Sequence, residues 1–306
     1  MKKRELKLPK FLGRFKGYAY LAPFLLSVIV FTVYPIINVF ITSFKQDYNS
    51  LTGAYNAIGF ENYANVIADP YFQKAVLNTI IYVITVVPIS TILAIFFANL
   101  INKKLRFNGL FQTAYFLPLV TSTTAVGLAW KWMYHSDYGV INYLLSLFGV
   151  EKIGWLTDVR YGMAALVIYG IWSILPFTII IVLSGMQSID KKLSVAARVD
   201  GASSKRIFFR ITLPLLMPTV GLVVIINIIN TFKVFSELFP LFKGEPGVAY
   251  TLYTVVYYIY DMFYSKWHFD KACAAAILML IILIIFTCIQ SFVQKKWNYG
   301  NGGDAA

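Results

Sequence analysis

Four polar residues interrupt one of the most apolar stretches of the chain: Asn227, Asn230, Lys233 and Glu237. Their spacings of 3, 3 and 4 residues put them on one stripe of a continuous helix. Two amides and an ion pair on such a stripe can hydrogen-bond a hydroxyl-rich solute, and polar groups within a membrane span often mark a pathway. The same asparagines can instead bond neighbouring helices, with Lys233 and Glu237 as a simple i,i+4 pair near the outer surface. Other chemistry is sparse. No G-x-x-x-x-G-K-[ST] and no Gly-rich strand-to-helix turn is present to cradle a nucleotide's phosphates. No Ser/His/Asp or Cys/His arrangement is visible. His135 and His268 have no ligand-like neighbours, so no metal site is expected. Cys273 and Cys288 share the last apolar run, about 22 Å apart along a helix, and cannot pair with each other there.

The elements that must carry these residues are membrane helices. The 306-residue chain is 58% hydrophobic and only 13% charged, where a soluble domain carries about 25%. Several uncharged windows reach the roughly 20 residues needed to cross the hydrocarbon. They are continuous rather than alternating, which favours helices over barrel strands. The first run, Tyr18 to Phe44, is too long for the core of a cleavable signal peptide. The fold class is therefore an all-α polytopic membrane protein. Six spans are predicted at 18–43, 75–100, 109–132, 162–184, 211–235 and 271–293. A basic segment (1–17) precedes the transmembrane domain (18–293), and a tail (294–306) follows it.

Orientation follows from the basic residues. With the N-terminus inside, 18 of the 27 Lys and Arg fall on inner segments. The net charge of +13 is then a topology signal rather than a nucleic-acid footprint. Aromatic residues are expected at both membrane surfaces: Tyr18, Tyr20, Trp297 and Tyr299 inside, and Trp130, Trp132 and Tyr134 outside. The outer segments (44–74, 133–161, 236–270) are too short for domains.

The longest inner loop, 185–210, contains the charged stretch AARVDGASSKRIFFR. Asp190 is placed to cap a short helix over Lys191 to Val199. Gly201 permits a turn, and Ser203 or Ser204 can cap a second helix leading into the fifth span. Pro214 and Pro218 are expected in that span's first turns, where lost N–H groups are partly tolerated. Ala196 and Ala197 leave room for a close approach. An ordinary interfacial helix-turn would read the same way. A docking element for a cytoplasmic motor is the sharper alternative.

The loop resembles a known family. Permease subunits of binding-protein-dependent ABC importers carry a pattern close to E-A-A-x-x-D-G-A, followed by I-x-L-P. Here V-A-A-R-V-D-G-A stands at 195–202 and I-T-L-P at 211–214. Tyr34–Pro35, GFENYANVIADPYF (59–72), LNT (77–79), Trp172–Pro176 and FKVFSELFPLFKGEPG (232–247) are similar too. The nearest subgroup is the carbohydrate-uptake type, which imports maltose, other oligosaccharides or glycerol-3-phosphate. One position departs: the usual opening Glu is Val195.

The resemblance implies the type I importer permease fold and a chain that is a transporter subunit rather than an enzyme. It implies a heterodimer with a sister permease, two cytoplasmic ABC ATPase subunits that use ATP and Mg, and an extracytoplasmic solute-binding protein. The chain itself needs no cofactor. Its place would be the bacterial cytoplasmic (inner) membrane, with both termini cytoplasmic. ATPase coupling would fall to Val195, Ala196, Ala197, Asp200, Gly201 and Ala202. Substrate would meet Trp172, Ser173 and Phe177 on the fourth span, and Asn227, Asn230, Thr231, Lys233 and Glu237 on the fifth. No arginine lies inside a predicted span, which favours a neutral sugar over a phosphorylated one. An ion-coupled secondary transporter would require ion-binding groups near the midplane and internal repeats. Neither stands out.

Overall fold

The computed structural model describes residues 10–102, 113 and 118–300. Helices dominate, because lipid offers backbone groups no partner. Among the described residues the one β feature is an isolated bridge between Lys45 and Ile58. In chain order, α1 (Lys10–Val28) passes through a π turn at Ile29–Val33 into α2 (Tyr34–Thr42). α3 (Glu61–Ala68) and the long α4 (Pro70–Asn102) follow. Next come α5 (Thr123–Met133), α6 (Val140–Ser146) and α7 (Gly162–Ser188). α8 (Lys191–Val199) and α9 (Ser204–Ile207) occupy the inner loop. A second π turn, Phe208–Thr212, joins α9 to α10 (Leu213–Phe232). α11 (Leu238–Phe242), α12 (Val255–Tyr260) and α13 (Phe269–Gly300) complete the fold.

Five stretches are long and apolar enough to cross a membrane: Tyr20–Thr42, Pro70–Asn102, Gly162–Ser188, Ser204–Phe232 and Phe269–Lys296. Each contains most of one predicted span. Within the predicted span 109–132, residues 109–112 and 114–117 lie outside the described residues, as do most of the 101–108 turn and the side chains of Trp297 and Tyr299. α5 is the outer end of that span.

Several boundaries differ from expectation. Helix begins already at Lys10, within the segment expected to precede the membrane domain. It continues to Gly300, well into the expected tail. The fifth span is continuous helix from Ser204 and stops at Phe232, not 235. Pro214 and Pro218 therefore lie inside a helical stretch rather than at its start. A proline ring clashes with the carbonyl four residues earlier. For Pro214 that carbonyl belongs to Arg210, inside the second π turn, and for Pro35 it belongs to Phe31, inside the first. The widened turns provide the room.

Packing centres on α4 against α7, the most extensive helix contact among the described residues, with α10 laid across both. Small residues permit it. Ala94 and Ala98 are fully buried beside Ile179, Val182 and Leu216, and Tyr82 lies directly on Gly170. Close van der Waals packing of this kind holds helices together where no hydrophobic effect separates them from lipid. The first span is the exception: its apolar window buries none of its residues within the chain.

Short helices of the outer segments are tied onto this bundle. Asn78 donates to the carbonyls of Thr251 and Tyr253 at 2.8 and 2.9 Å. Thr79 Oγ1 accepts the Val255 N–H at 3.1 Å. Tyr258 donates to Asp69 at 2.8 Å, and Tyr253 to Asp261 at 2.5 Å. The expected outer aromatic belt is realised only in part. Trp132 is exposed, but Trp130 and Tyr134 are buried. They stack within a cluster containing Tyr169 and Trp155, and the Tyr134 hydroxyl donates to the Ala165 carbonyl at 2.9 Å. Asn78→Ala would strand the buried Tyr253 carbonyl and the half-buried Thr251 carbonyl. It is expected to destabilise the protein by about 2–3 kcal/mol, read as a lower thermal-unfolding midpoint in detergent with the chain still membrane-inserted.

Candidate functional site

Two regions bring the sequence-selected residues together. The first is the inner loop. Asp190 caps α8 as expected, its Oδ1 accepting the Lys192 N–H at 2.9 Å. Ser203, rather than Ser204, caps α9, with its hydroxyl accepting the Arg206 N–H at 3.4 Å. Between the two helices the chain reverses through Gly201, at φ +80°. The Ala202 N–H bonds the Ala197 carbonyl at 2.9 Å, and the Gly201 N–H bonds the Arg198 carbonyl at 3.0 Å. This pair of bonds is the Schellman closure of a helix end, which places a left-handed residue where glycine sits. The result is a helix–turn–helix elbow. Val195, Ala196, Asp200 and Gly201 are exposed on it, and Ala197 and Ala202 are half-buried. Val199 joins Val195 one turn along, exposed by 84% and 57% respectively. Lys191, Lys192, Arg198, Lys205, Arg206 and Arg210 surround them, all exposed. An exposed apolar pair ringed by cations is a surface that can accept a soluble partner.

The second region is where α7 meets α10. Here the expected stripe does not form. Asn227 is 1% exposed and points into the bundle, donating to Thr178 Oγ1 at 2.9 Å. Thr178 in turn donates to the Ile174 carbonyl at 2.9 Å, beside Pro176 inside the helix. Thr231 is buried and turned back on its own helix, donating to the Asn227 carbonyl at 2.7 Å. Asn230 is exposed. α10 then ends at Phe232, and Lys233 is its exposed C-terminal cap. Glu237 lies beyond the end of the helix. The stripe arithmetic assumed a helix that stops one residue before Lys233.

The expected Lys233–Glu237 pair is absent for the same reason. Among the described residues the ion pairs are Lys152–Asp137, Arg160–Asp158 and Lys266–Asp261. Glu237 instead accepts the Phe235 N–H at 3.1 Å. Burial lifts its carboxyl above the usual carboxylate range, and the backbone N–H groups of Glu237 and Phe235 offset that only in part.

On α7, Trp172 is half-buried and meets Trp130 edge-on at 5.5 Å, so one side of its ring is committed to packing. Ser173 is half-buried. Phe177 packs against the Ala94–Leu216 cluster. The geometry therefore separates the chosen residues. Asn227 ties α10 to α7 and Thr231 bonds its own helix, while Ser173, Asn230 and the free edge of Trp172 remain available. Sequence reading missed Thr178, the partner of Asn227. It gave no signal, because a threonine in an apolar helix ordinarily satisfies its own turn.

Comparison with known proteins places this geometry. The chain is 30% identical over 295 residues to the trehalose/maltose transport system permease protein of Thermococcus litoralis, covering 96% of each. It is 32% identical to the arabinooligosaccharides transport system permease protein of Bacillus subtilis, over 89% of this chain and 86% of the relative. The lactose transport system permease protein of Rhizobium radiobacter is 31% identical over 91% and 92%. In fold, the chain superposes with a TM-score of 0.81 at 24% identity on a bacterial ABC transporter involved in the import of the acidic polysaccharide alginate, covering 94% of this chain and 99% of that one. Residues 71–299 match the family described as binding-protein-dependent transport system inner membrane component. The chain belongs to that family, and it is a permease subunit of a binding-protein-dependent ABC transporter.

Proposed function

We propose that this permease moves a neutral sugar of the oligosaccharide class across the bacterial cytoplasmic membrane as half of a heterodimeric pathway. The observation that carries the substrate class is full-length similarity to permeases named for trehalose/maltose, arabinooligosaccharides and lactose. The transmembrane unit spans 18–293, and both termini lie in the cytoplasm, as the inner excess of basic residues favours. A sister permease forms the other half. The driving energy comes from two cytoplasmic ATPase subunits that bind ATP and Mg, with no cofactor and no ATP site on this chain. The elbow at 190–206 receives them through Val195, Ala196, Ala197, Asp200, Gly201 and Ala202. A rigid elbow at the end of the continuous Ser204–Phe232 helix converts closure of the ATPase pair into movement of α10. The path then alternates between outward and inward access. The extracytoplasmic binding protein delivers sugar to the outer segments 44–74 and 236–270.

Within the path, Asn230 and Ser173 supply hydrogen bonds to hydroxyls, and the free edge of Trp172 supplies apolar ring surface. Lys233 and Glu237 stand at the outer mouth. Asn227 acts indirectly, by fixing α10 against α7 through Thr178, and Thr231 by bonding the turn that carries Asn227. The complete transporter in vesicles tests this. Sugar uptake must require both ATP and the cognate binding protein. Asn230→Ala is expected to weaken apparent sugar affinity about fivefold, equivalent to one hydrogen bond, with normal assembly. Uptake driven by an ion gradient without the ATPase overturns the reading. Unchanged affinity removes Asn230 from the path.

A further inference from the structure

The cytoplasmic halves of α10 and α13 are joined by a polar contact with one member missing. Gly221 has no side chain, and Gln294 lies directly over it: a Cβ there would stand 1.9 Å from Gln294 Cδ. Gln294 Nε2 donates to the Pro218 carbonyl at 3.4 Å. Gln290 Nε2 donates to the Gly221 carbonyl at 3.2 Å and to Gln294 Oε1 at 3.3 Å. That fixes the orientation of the Gln290 amide, because a flipped amide would set its oxygen against two other oxygens. Gln290 Oε1 is then sealed from solvent and accepts no hydrogen bond among the described residues.

The position makes this costly. Both helices belong to membrane-crossing stretches, and an unpaired acceptor in hydrocarbon costs several kcal/mol. Gln290 also lines an open groove of about 250 Å³, whose other walls include Met217, Val220, Val224 and Val293. The flanking Ile289, Phe292 and Val293 are exposed, so nothing among the described residues covers the groove. Acyl chains would match its walls but have no hydrogen to donate. A transmembrane helix offers both an apolar surface and a Ser, Thr or Asn donor.

We propose that the α10–α13 groove seats a helix of the sister permease, which donates a hydrogen bond to Gln290 Oε1. This rests on the reading that the chain works as half of a heterodimer. A benzophenone amino acid placed at Val293 in the complete transporter, irradiated in native membranes, tests it. The expected product is a covalent adduct of this chain with the sister permease. Gln290→Leu is expected to lower retention of the sister in a detergent wash about fivefold, within the range for single interhelical hydrogen bonds in membranes, while the thermal midpoint of the chain alone shows whether it still folds. Adducts with lipid alone, or unchanged sister retention in a folded Gln290→Leu chain, overturn the proposal. ATP-driven uptake measured in the same membranes separates the two readings. Intact uptake with lipid-only adducts sinks the seat and leaves the transport assignment standing.

Discussion

Gly201→Val is expected to cut sugar uptake roughly tenfold or more, the size of a typical lost coupling between sites, while ATP hydrolysis persists and the subunit remains inserted. Gly201→Asn is expected to keep most of the uptake. The contrast isolates backbone conformation. Gly201 sits at φ +80°, and a Cβ there meets nothing within 4 Å, so neither substitution clashes. Valine in a left-handed conformation costs on the order of 1–2 kcal/mol, enough to open a turn held by two main-chain bonds. Asparagine visits that conformation far more readily. The turn sets the angle between α8 and α9, and α9 is continuous with α10. Opening it would let the elbow move without carrying the span. Uptake and binding-protein-stimulated hydrolysis, measured side by side, decide the matter. Equal uptake by the Val and Asn variants would mean that the elbow's shape does not transmit force.

Gly170→Val is expected to prevent stable folding, with a penalty of roughly 3 kcal/mol or more at the overpacked site. A Cβ at Gly170 would stand 2.2 Å from the Tyr82 hydroxyl and 2.8 Å from its Cζ. Tyr82 is 3% exposed and belongs to the main aromatic core, so its ring has nowhere to retreat. The site lies in the α4–α7 interface, the most extensive among the described residues. Most of the protein should elute as aggregate in size-exclusion chromatography. Tyr82→Leu/Gly170→Ala should recover more monodisperse protein than Gly170→Ala alone, because contacting residues couple in a double-mutant cycle. Additive losses in that cycle would show that the clash is relieved elsewhere.

What the sequence disclosed, and what it hid, follows from the range over which each signal acts. Asp190 and Gly201 were legible because a cap is settled within four residues, whereas Ser203 and Ser204 stood as alternatives for the second cap. Five of the six predicted spans were legible because hydrocarbon thickness demands length. The polar stripe failed because it extrapolated one helix across Lys233, where α10 had already ended. Asn227 and Asn230 look alike in sequence. One is buried against Thr178 and the other is exposed, a difference fixed by which face α7 covers. Trp130 was assigned to a membrane surface from its place in the chain, but its ring faces Tyr169 and Trp172. Such facing is decided between elements distant in sequence, and no local pattern records it.

The bend between α8 and α9 is closed by amides and carbonyls alone. No side chain from 191 to 200 is needed to draw it. Curvature and chemical identity are therefore independent variables at this place. The absence of an acidic residue at Val195 alters what the surface offers a neighbour, but not the direction in which it is offered. Under the proposed docking, one ATPase could be exchanged for another by repainting these exposed positions, and the lever arm would remain the same.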